Sequence, residues 1–240
     1  MYFCIIITPC RFRMHMKVEE TDKIFSKYNQ LWKAGEIAHP LCIMVGGNIG
    51  TGKSTLANRL LENLSYCNLL PTGIVRSILQ SMDLGSIFPE LYGHSYQLNE
   101  LVIDSALSEE QKAVVAFAKQ LGVVDKAIRR ILDFSQSEGQ QYILDGNHIS
   151  PRTAREYADR QPNFIGVFFK TTDVNQYREN VSGPTHQRTL SGGEFMIVRA
   201  IHDFIVTEAE HYQLPVFEYN QQKEAMNYVT SRITIAMETK

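Results

Sequence analysis

At 240 residues, with 44% hydrophobic side chains and a formal net charge of −2, the chain has the balance of an ordinary globular enzyme domain. Near-neutral charge gives no electrostatic reason to expect a nucleic-acid or membrane-surface partner. The four cysteines (Cys4, Cys10, Cys42 and Cys67) show neither C-x-x-C spacing nor the density of a disulfide scaffold, so reduced thiols and a cytoplasmic setting are expected.

The first residues are apolar from Tyr2 to Thr8, with Arg11 and Arg13 behind them. A membrane span takes about 20 apolar residues, and a secretory signal carries its positive charge ahead of the apolar stretch. Neither pattern fits. Met14 and Met16 stand as alternative starts to Met1, and an added edge strand is the competing reading of this leader. Residues 19–34 read as an amphipathic helix with Ile24, Tyr28, Leu31 and Trp32 on one face. Leader and helix, residues 1–40, are expected to pack on a single larger domain covering 41–240.

That domain opens on a short buried strand over residues 40–45. The run Val45-Gly46-Gly47-Asn48-Ile49-Gly50-Thr51-Gly52-Lys53-Ser54-Thr55 follows and fits G-x-x-x-x-G-K-[ST], the phosphate-binding loop, from Gly47 to Ser54. Its glycines let successive backbone N–H groups point inward at a polyphosphate. Gly47, Asn48, Ile49, Gly50, Thr51, Gly52, Lys53, Ser54 and Thr55 are therefore the expected nucleotide-binding residues. Lys53 would reach the terminal phosphates, and the Ser54 hydroxyl would ligate Mg²⁺. A helix starting at Thr55 would turn its N-terminus toward the anion.

Strand and helix then alternate. A second strand is expected over 67–70, a helix over 73–82, and a loop or lid over 84–96. A long helix is expected over 108–134, with Ser108 and Glu110 at its start and apolar residues at three- and four-residue spacing. Strands are expected over 142–145, 164–169 and 214–218, with helices in the gaps, including 195–211 and 221–237. Strands separated by helix-sized crossovers imply an α/β fold, a parallel sheet flanked by helices on both faces. The expected fold is that of a P-loop nucleoside triphosphatase.

In such a sheet ligands sit at the carboxyl ends of the strands. Asp145 ends its strand and is placed to hold Mg²⁺ or orient a hydroxyl nucleophile, with capping of the next turn as the alternative. His148 follows closely enough to touch a substrate or to serve as a structural hydrogen-bonding residue. Arg76 is a candidate anion ligand through its planar fork. The segment Tyr92-Gly93-His94-Ser95-Tyr96 supplies hydroxyl, imidazole and aromatic groups for an acceptor site. Arg178, Arg188 and Arg199 are candidates for stabilising charge on a transferring phosphoryl group, with residues 182–188 expected to close over a nucleotide. Leu190-Ser191-Gly192-Gly193-Glu194 resembles the signature of ATP-binding-cassette proteins, but no metal-binding strand follows it. A turn and helix start, capped by Ser191 or Glu194, is the expected reading.

Taken in order, residues 46–55, 71–79, 91–96, 143–149 and 195–209 resemble the 2-phosphoglycerate kinases, a family of P-loop kinases. The run Glu194-Phe195-Met196-Ile197-Val198-Arg199-Ala200-Ile201-His202-Asp203-Phe204 is similar to that family's Arg-Ile-Gln-Asp-Tyr helix. The resemblance spans roughly residues 41–218. It implies transfer of the γ-phosphoryl group of ATP, with Mg²⁺, to a hydroxyl of a phosphorylated three-carbon acid. On that footing Lys53, Asp145, Arg178 and Arg188 are catalytic, Ser54 and Asp145 hold the metal, and Arg76, His94, Ser95, Tyr96, His148 and Arg199 face the acceptor.

Two positions depart from the pattern. Related small-molecule kinases carry Asp where this chain has Gly73, and the family's strand-end Glu corresponds to Asp145. Two other readings therefore stand: a kinase acting on a nucleotide, a polynucleotide 5′-hydroxyl or a nucleotide sugar, and an ATP-binding regulatory protein of weakened activity.

Overall fold

The computed structural model describes residues 18–182 and 189–238. Five strands, β1 (Cys42–Gly46), β2 (Cys67–Pro71), β3 (Gln141–Gly146), β4 (Phe164–Lys170) and β5 (Val216–Glu218), form one sheet in the order β2-β3-β1-β4-β5. Every pairing is parallel. The crossovers are helices: α2 (Lys53–Asn63), α3 (Thr72–Gln80), α4 (Glu109–Glu138), α5 (Pro151–Ala158), α6 (Val174–Val181) and α7 (Gly192–His211). Two more helices, α1 (Val18–Lys33) and α8 (Gln222–Glu238), precede and follow the sheet-forming part. The α/β fold expected from the alternation is the one observed.

The two faces of the sheet divide by side-chain parity, as the two-residue period of a strand requires. Cys42, Met44, Leu144, Phe164 and Phe168 share a core with Val75 of α3, Phe117, Val124 and Ile128 of α4, Tyr157 of α5 and Ile201 of α7. Ile43, Val45, Ile143, Ile165, Val167 and Phe169 pack on Phe25 and Tyr28 of α1, Leu56 and Leu60 of α2, and Val229 and Ile233 of α8. Burial on both sides explains why these strands read as unbroken apolar runs rather than alternating ones.

Local chemistry sets the helix ends. Ser108 and Gln111 form a reciprocal capping box at the start of α4, and Gly139 closes that helix in the left-handed conformation. Ser191 and Glu194 form the same box on α7, as expected for that turn. The observed β1 starts two residues later than read, because Pro40 and Leu41 only lead into the ladder. Likewise β5 starts at Val216, after Leu214 and Pro215. The expected loop at 84–96 contains a short 3-10 turn (Pro89–Leu91), and a longer one (Ser95–Leu101) follows it. Among the described residues no helix is long and apolar enough to cross a membrane.

Candidate active site

β1 ends at Gly46, and the chain turns sharply into α2 through the glycine-rich loop. Gly47 has φ +139°, and a Cβ there would lie 2.7 Å from the Phe169 carbonyl oxygen and 2.8 Å from Thr51 Oγ1, so only glycine fits. Thr51 Oγ1 donates to the Asn48 carbonyl (2.8 Å), and Asn48 Nδ2 donates to the Val198 carbonyl of α7 (2.8 Å). Ile49 packs on a small cluster of Tyr177, Val181, Phe195 and Val198. Asn180, near the end of α6, donates through Nδ2 to the Gly50 carbonyl (3.0 Å). Gln222 of α8 donates to the Gly52 carbonyl (3.1 Å). The loop is thus held from outside by α6, α7 and α8. None of the backbone N–H groups of residues 48–52 donates to another described residue. Unpaired N–H groups converging at a helix N-terminus form an anion site.

Lys53 begins α2 and bends its Nζ back toward the Asn48 carbonyl (3.3 Å). Loss of water pulls its pKa below the usual lysine value, and Asp145 opposes that pull. Ser54, the next residue, donates through Oγ to Asp145 Oδ2 at 2.6 Å. Asp145 is 8% exposed, and its Oδ1 is buried without a hydrogen-bond partner among the described residues. A buried carboxylate oxygen with no donor demands an explanation. A hydroxyl and one carboxylate beside a polyphosphate loop are the oxygen ligands Mg²⁺ takes when substrate phosphates supply the rest. Among the described residues no group of three or more His, Cys, Asp and Glu is placed to hold a metal ion. Thr55 is exposed on the first turn of α2.

The acceptor candidates gather at the ends of β2 and β3. Thr72 starts α3, and its hydroxyl occupies the space a side chain at Gly146 would need: a Cβ there would come within 1.8 Å of Thr72 Oγ1. His148 is buried between Thr72 Oγ1 (3.5 Å from Nδ1) and Gln120 Oε1 of α4 (2.9 Å from Nε2). An amide oxygen only accepts, so Nε2 carries the proton and Nδ1 is the acceptor. Burial, then the nearby positive charges of Arg76 and Lys53, push the imidazole pKa down to about 3. His148 is neutral at physiological pH and a poor proton acceptor.

Gln120, absent from the candidates drawn from sequence, is fully buried and ties this region together. Its Nε2 donates to the carbonyls of Glu90 and Gly93 (3.2 Å to the latter). Arg76 donates through one Nη to the Gly93 (2.7 Å) and Leu91 (3.3 Å) carbonyls. It touches no carboxylate among the described residues, and burial alone pulls its pKa down. Ser95 Oγ accepts from Asn147 Nδ2 (3.2 Å), which brings the loop to the exit of β3, two residues past Asp145. His94 stacks on Tyr96 with ring centroids 5.3 Å apart, and Tyr96 packs on the same cluster as Ile49. Lys53, Ser54, Asp145, Arg76, Ser95, Tyr96 and His148 therefore converge on one end of the sheet.

The chain is 25% identical over 226 residues to the 2-phosphoglycerate kinase of Methanopyrus kandleri, matching 91% of this chain and 68% of that protein. It is 26% identical over 230 residues to the 2-phosphoglycerate kinase of Methanocaldococcus jannaschii, with 90% and 72% covered. For that of Methanococcus vannielii the figures are 28% over 206 residues, with 82% and 65% covered. The chain is a relative of the 2-phosphoglycerate kinases. Each of these relatives is named as a kinase, a phosphotransferase class. No family model matches the chain. A Pseudomonas aeruginosa crystal structure assigned to polyphosphate kinase 2 aligns with TM-score 0.44 and 10% identity over 95% of this chain and 49% of that one, too distant a likeness to bear on function.

Beside the 2-phosphoglycerate kinase pattern, the remaining candidates are placed as follows. Gly73 is exposed at the second position of α3, and a Cβ there would meet nothing within 4 Å. Arg178 lies exposed on α6 with its guanidinium 4.1 Å from the centre of the Phe195 ring. Arg199 pairs with Asp203 (2.9 Å) and donates to the carbonyls of Thr171 (3.1 Å) and Thr172 (3.3 Å). Its Nε and one Nη thus hold the chain just beyond β4. His202 supports the same turn: its Nε2 accepts the Thr171 N–H (3.0 Å), so Nδ1 carries the proton toward Asp203. Arg188, and with it the segment expected to close over a nucleotide, lies outside the described residues.

Proposed function

We propose that the protein is an ATP-dependent small-molecule kinase that moves the γ-phosphoryl group to a hydroxyl of a phosphorylated small acid, 2-phosphoglycerate foremost. The observation that carries this reading is Ser54 against Asp145 at 2.6 Å, with Asp145 Oδ1 buried and unpaired directly behind the phosphate loop. Bound Mg²⁺ would neutralise charge on the phosphate oxygens as it builds. The chain's own residues do the rest. The N–H groups of residues 48–52 and the Lys53 ammonium bind the polyphosphate. Ser54 and Asp145 are the oxygen ligands offered to the metal. Arg76, half-buried without a carboxylate, takes the acceptor's phosphate or carboxylate, since an anion there relieves a buried positive charge. Ser95 and Tyr96 line the same side and orient the acceptor. Arg178, two residues before the side chain that grips the Gly50 carbonyl, is the cation nearest in sequence to that contact and is assigned to transition-state charge. Phosphoryl transfer needs little covalent help, so positioning and electrostatics of this kind suffice. A cytoplasmic setting and residues 41–240 as the kinase domain belong to the same proposal.

Gly73 favours a second reading, an ATP-binding regulator of weakened activity, because this position offers no side chain to accept the acceptor's proton. One experiment separates the two. The protein is incubated with Mg-ATP labelled at the γ-phosphate and with 2-phosphoglycerate, other phosphorylated acids, nucleosides and 5′-hydroxyl oligonucleotides, with Lys53→Ala as control. Label reaching 2-phosphoglycerate in wild type alone supports the kinase reading. Label reaching a different acceptor keeps the chemistry and replaces the substrate. Nucleotide binding with no transfer to any acceptor makes the regulatory reading the correct one.

A further inference from the structure

The opposite end of the sheet carries a second group of hydrogen-bond donors that phosphoryl transfer does not use. Phe164 starts β4 and Pro215 immediately precedes β5, so this end is remote from the strand termini that face the phosphate loop. A cavity of about 230 Å³ opens there, with Arg155 of α5, Gln213 of the α7–β5 turn, and Tyr228 and Arg232 of α8 in its wall. Tyr228 and Arg232 are four residues apart and share one helix face. The size is below the ~300–1,000 Å³ of sites for drug-sized ligands, which selects a small ligand.

Arg155 is partly engaged, and the other donors are unspent. Arg155 is held by Asp159 through Nη2 (2.6 Å) and Nε (2.9 Å). Among the described residues no carboxylate pairs with Arg232, Tyr228 bonds only through its backbone and Gln213 only through its backbone N–H. Burial raises the Tyr228 pKa, and Arg232 and Arg155 oppose it, so the phenol stays a donor with both guanidinium groups close enough to act on it. Gln213 is held at φ 53°, a left-handed conformation uncommon for a residue with a side chain and a feature that gathers at functional sites. With two cations and one carboxylate, the wall keeps one net positive charge.

We propose that this cavity binds a small phosphate-bearing anion, taken by the open fork of Arg232 and the Tyr228 hydroxyl, with Arg155 supplying a second positive charge. A planar guanidinium matches phosphate oxygens two at a time, and a phenol adds a third donor. The site is separate from the phosphate loop and stands whether or not the kinase reading holds.

The test is calorimetric titration of the full chain with inorganic phosphate and, separately, with glycerol phosphate, against chloride at matched ionic strength. Two binding components are expected. Lys53→Ala removes the one at the phosphate loop and leaves the other. Arg232→Gln removes the second, and Tyr228→Phe, which keeps the ring and its packing, weakens it about tenfold, the worth of one charge-assisted hydrogen bond. Tighter binding of the ester than of phosphate identifies a phosphoester as ligand, and equal binding identifies free phosphate. A second component unchanged in both variants, or none left after Lys53→Ala, overturns the assignment. Absence of phosphoryl transfer while the Arg232 component persists would count against the kinase reading alone.

Discussion

Because His148 is buried beside two cations, its protonation state couples folding to pH. The perturbation is His148→Gln, which keeps an N–H donor near the position of Nε2 for Gln120 while removing the titration. In the native protein the imidazole pKa is pushed down to about 3, against roughly 6.5 in an unfolded chain. The folded value is depressed, so the stabilisation is complete above about pH 6.5 and is lost as pH falls toward 3. Integrating one proton between those values gives a loss of about 1 kcal/mol between pH 7 and 5.5, and about 2–3 kcal/mol by pH 4.5. The assay is urea unfolding at fixed ionic strength across pH 4.5–7.5, wild type beside variant. Wild type should lose stability toward acid with a slope steeper than the variant's by up to about 1.4 kcal/mol per pH unit. His202, whose pKa is also lowered by burial, titrates in both proteins and cancels in the difference. Parallel curves for the two proteins would refute the argument, since they would mean His148 binds no fewer protons folded than unfolded.

Other outcomes follow from the same geometry. Gly73→Asp should fold normally, because the position opens to empty space, and should add about 0.5–1 kcal/mol by replacing a helical glycine with an acid in the first turn of α3. If a missing proton acceptor limits turnover, the same variant raises kcat in the labelled-ATP assay while leaving nucleotide affinity unchanged; an unaltered kcat removes Gly73 as the cause of any weakness. Asp145→Asn should lower transfer by on the order of 10²-fold or more while unfolding at a similar urea concentration, and a variant of full activity would strike Asp145 from the site. Asn48→Ala strips the Val198 carbonyl of its donor in a buried place, at a cost of about 1–3 kcal/mol in urea unfolding. Gly46→Ala puts a Cβ 2.2 Å from the Phe168 ring, and a loss of about 1–3 kcal/mol is expected from the overpacking.

How far the sequence discloses this molecule depends on whether a feature is local. The glycine-rich turn from β1 into α2, the strand–helix alternation and the Ser191–Glu194 box each depend on a few neighbouring residues, and each is legible. The meeting of Ser54 with Asp145 follows from β3 lying beside β1, a pairing that neither strand's own residues announce. Gln120 sits among the apolar positions of α4 and reads as a solvated helix residue until His148 and the 90–93 carbonyls close on it. Its position on the same stripe as Phe117, Leu121 and Val124 was the signal in the sequence. Arg199 shows the same dependence: an arginine on a helix suggests an anion ligand, and only the fold reveals that its Nε and one Nη go to Asp203 and the turn after β4. The short helices α5 and α6 were expected only as filler between strands, because eight residues carry too little periodicity to be placed.

The hydroxyl and carboxylate that meet at Ser54 and Asp145 are 91 residues apart in the chain. Joining ends across so long a segment costs about 4 kcal/mol in closure entropy before any contact at the site repays it. β3 also enters between β1 and β2, strands that precede it in the chain, so the sheet cannot be completed in the order of synthesis. A nascent chain ending before Gln141 would carry the whole glycine-rich sequence with no carboxylate behind it. On the proposed function, competence for nucleotide therefore waits for β3 to seat between β1 and β2, and nucleotide binding would report that this part of the sheet has formed.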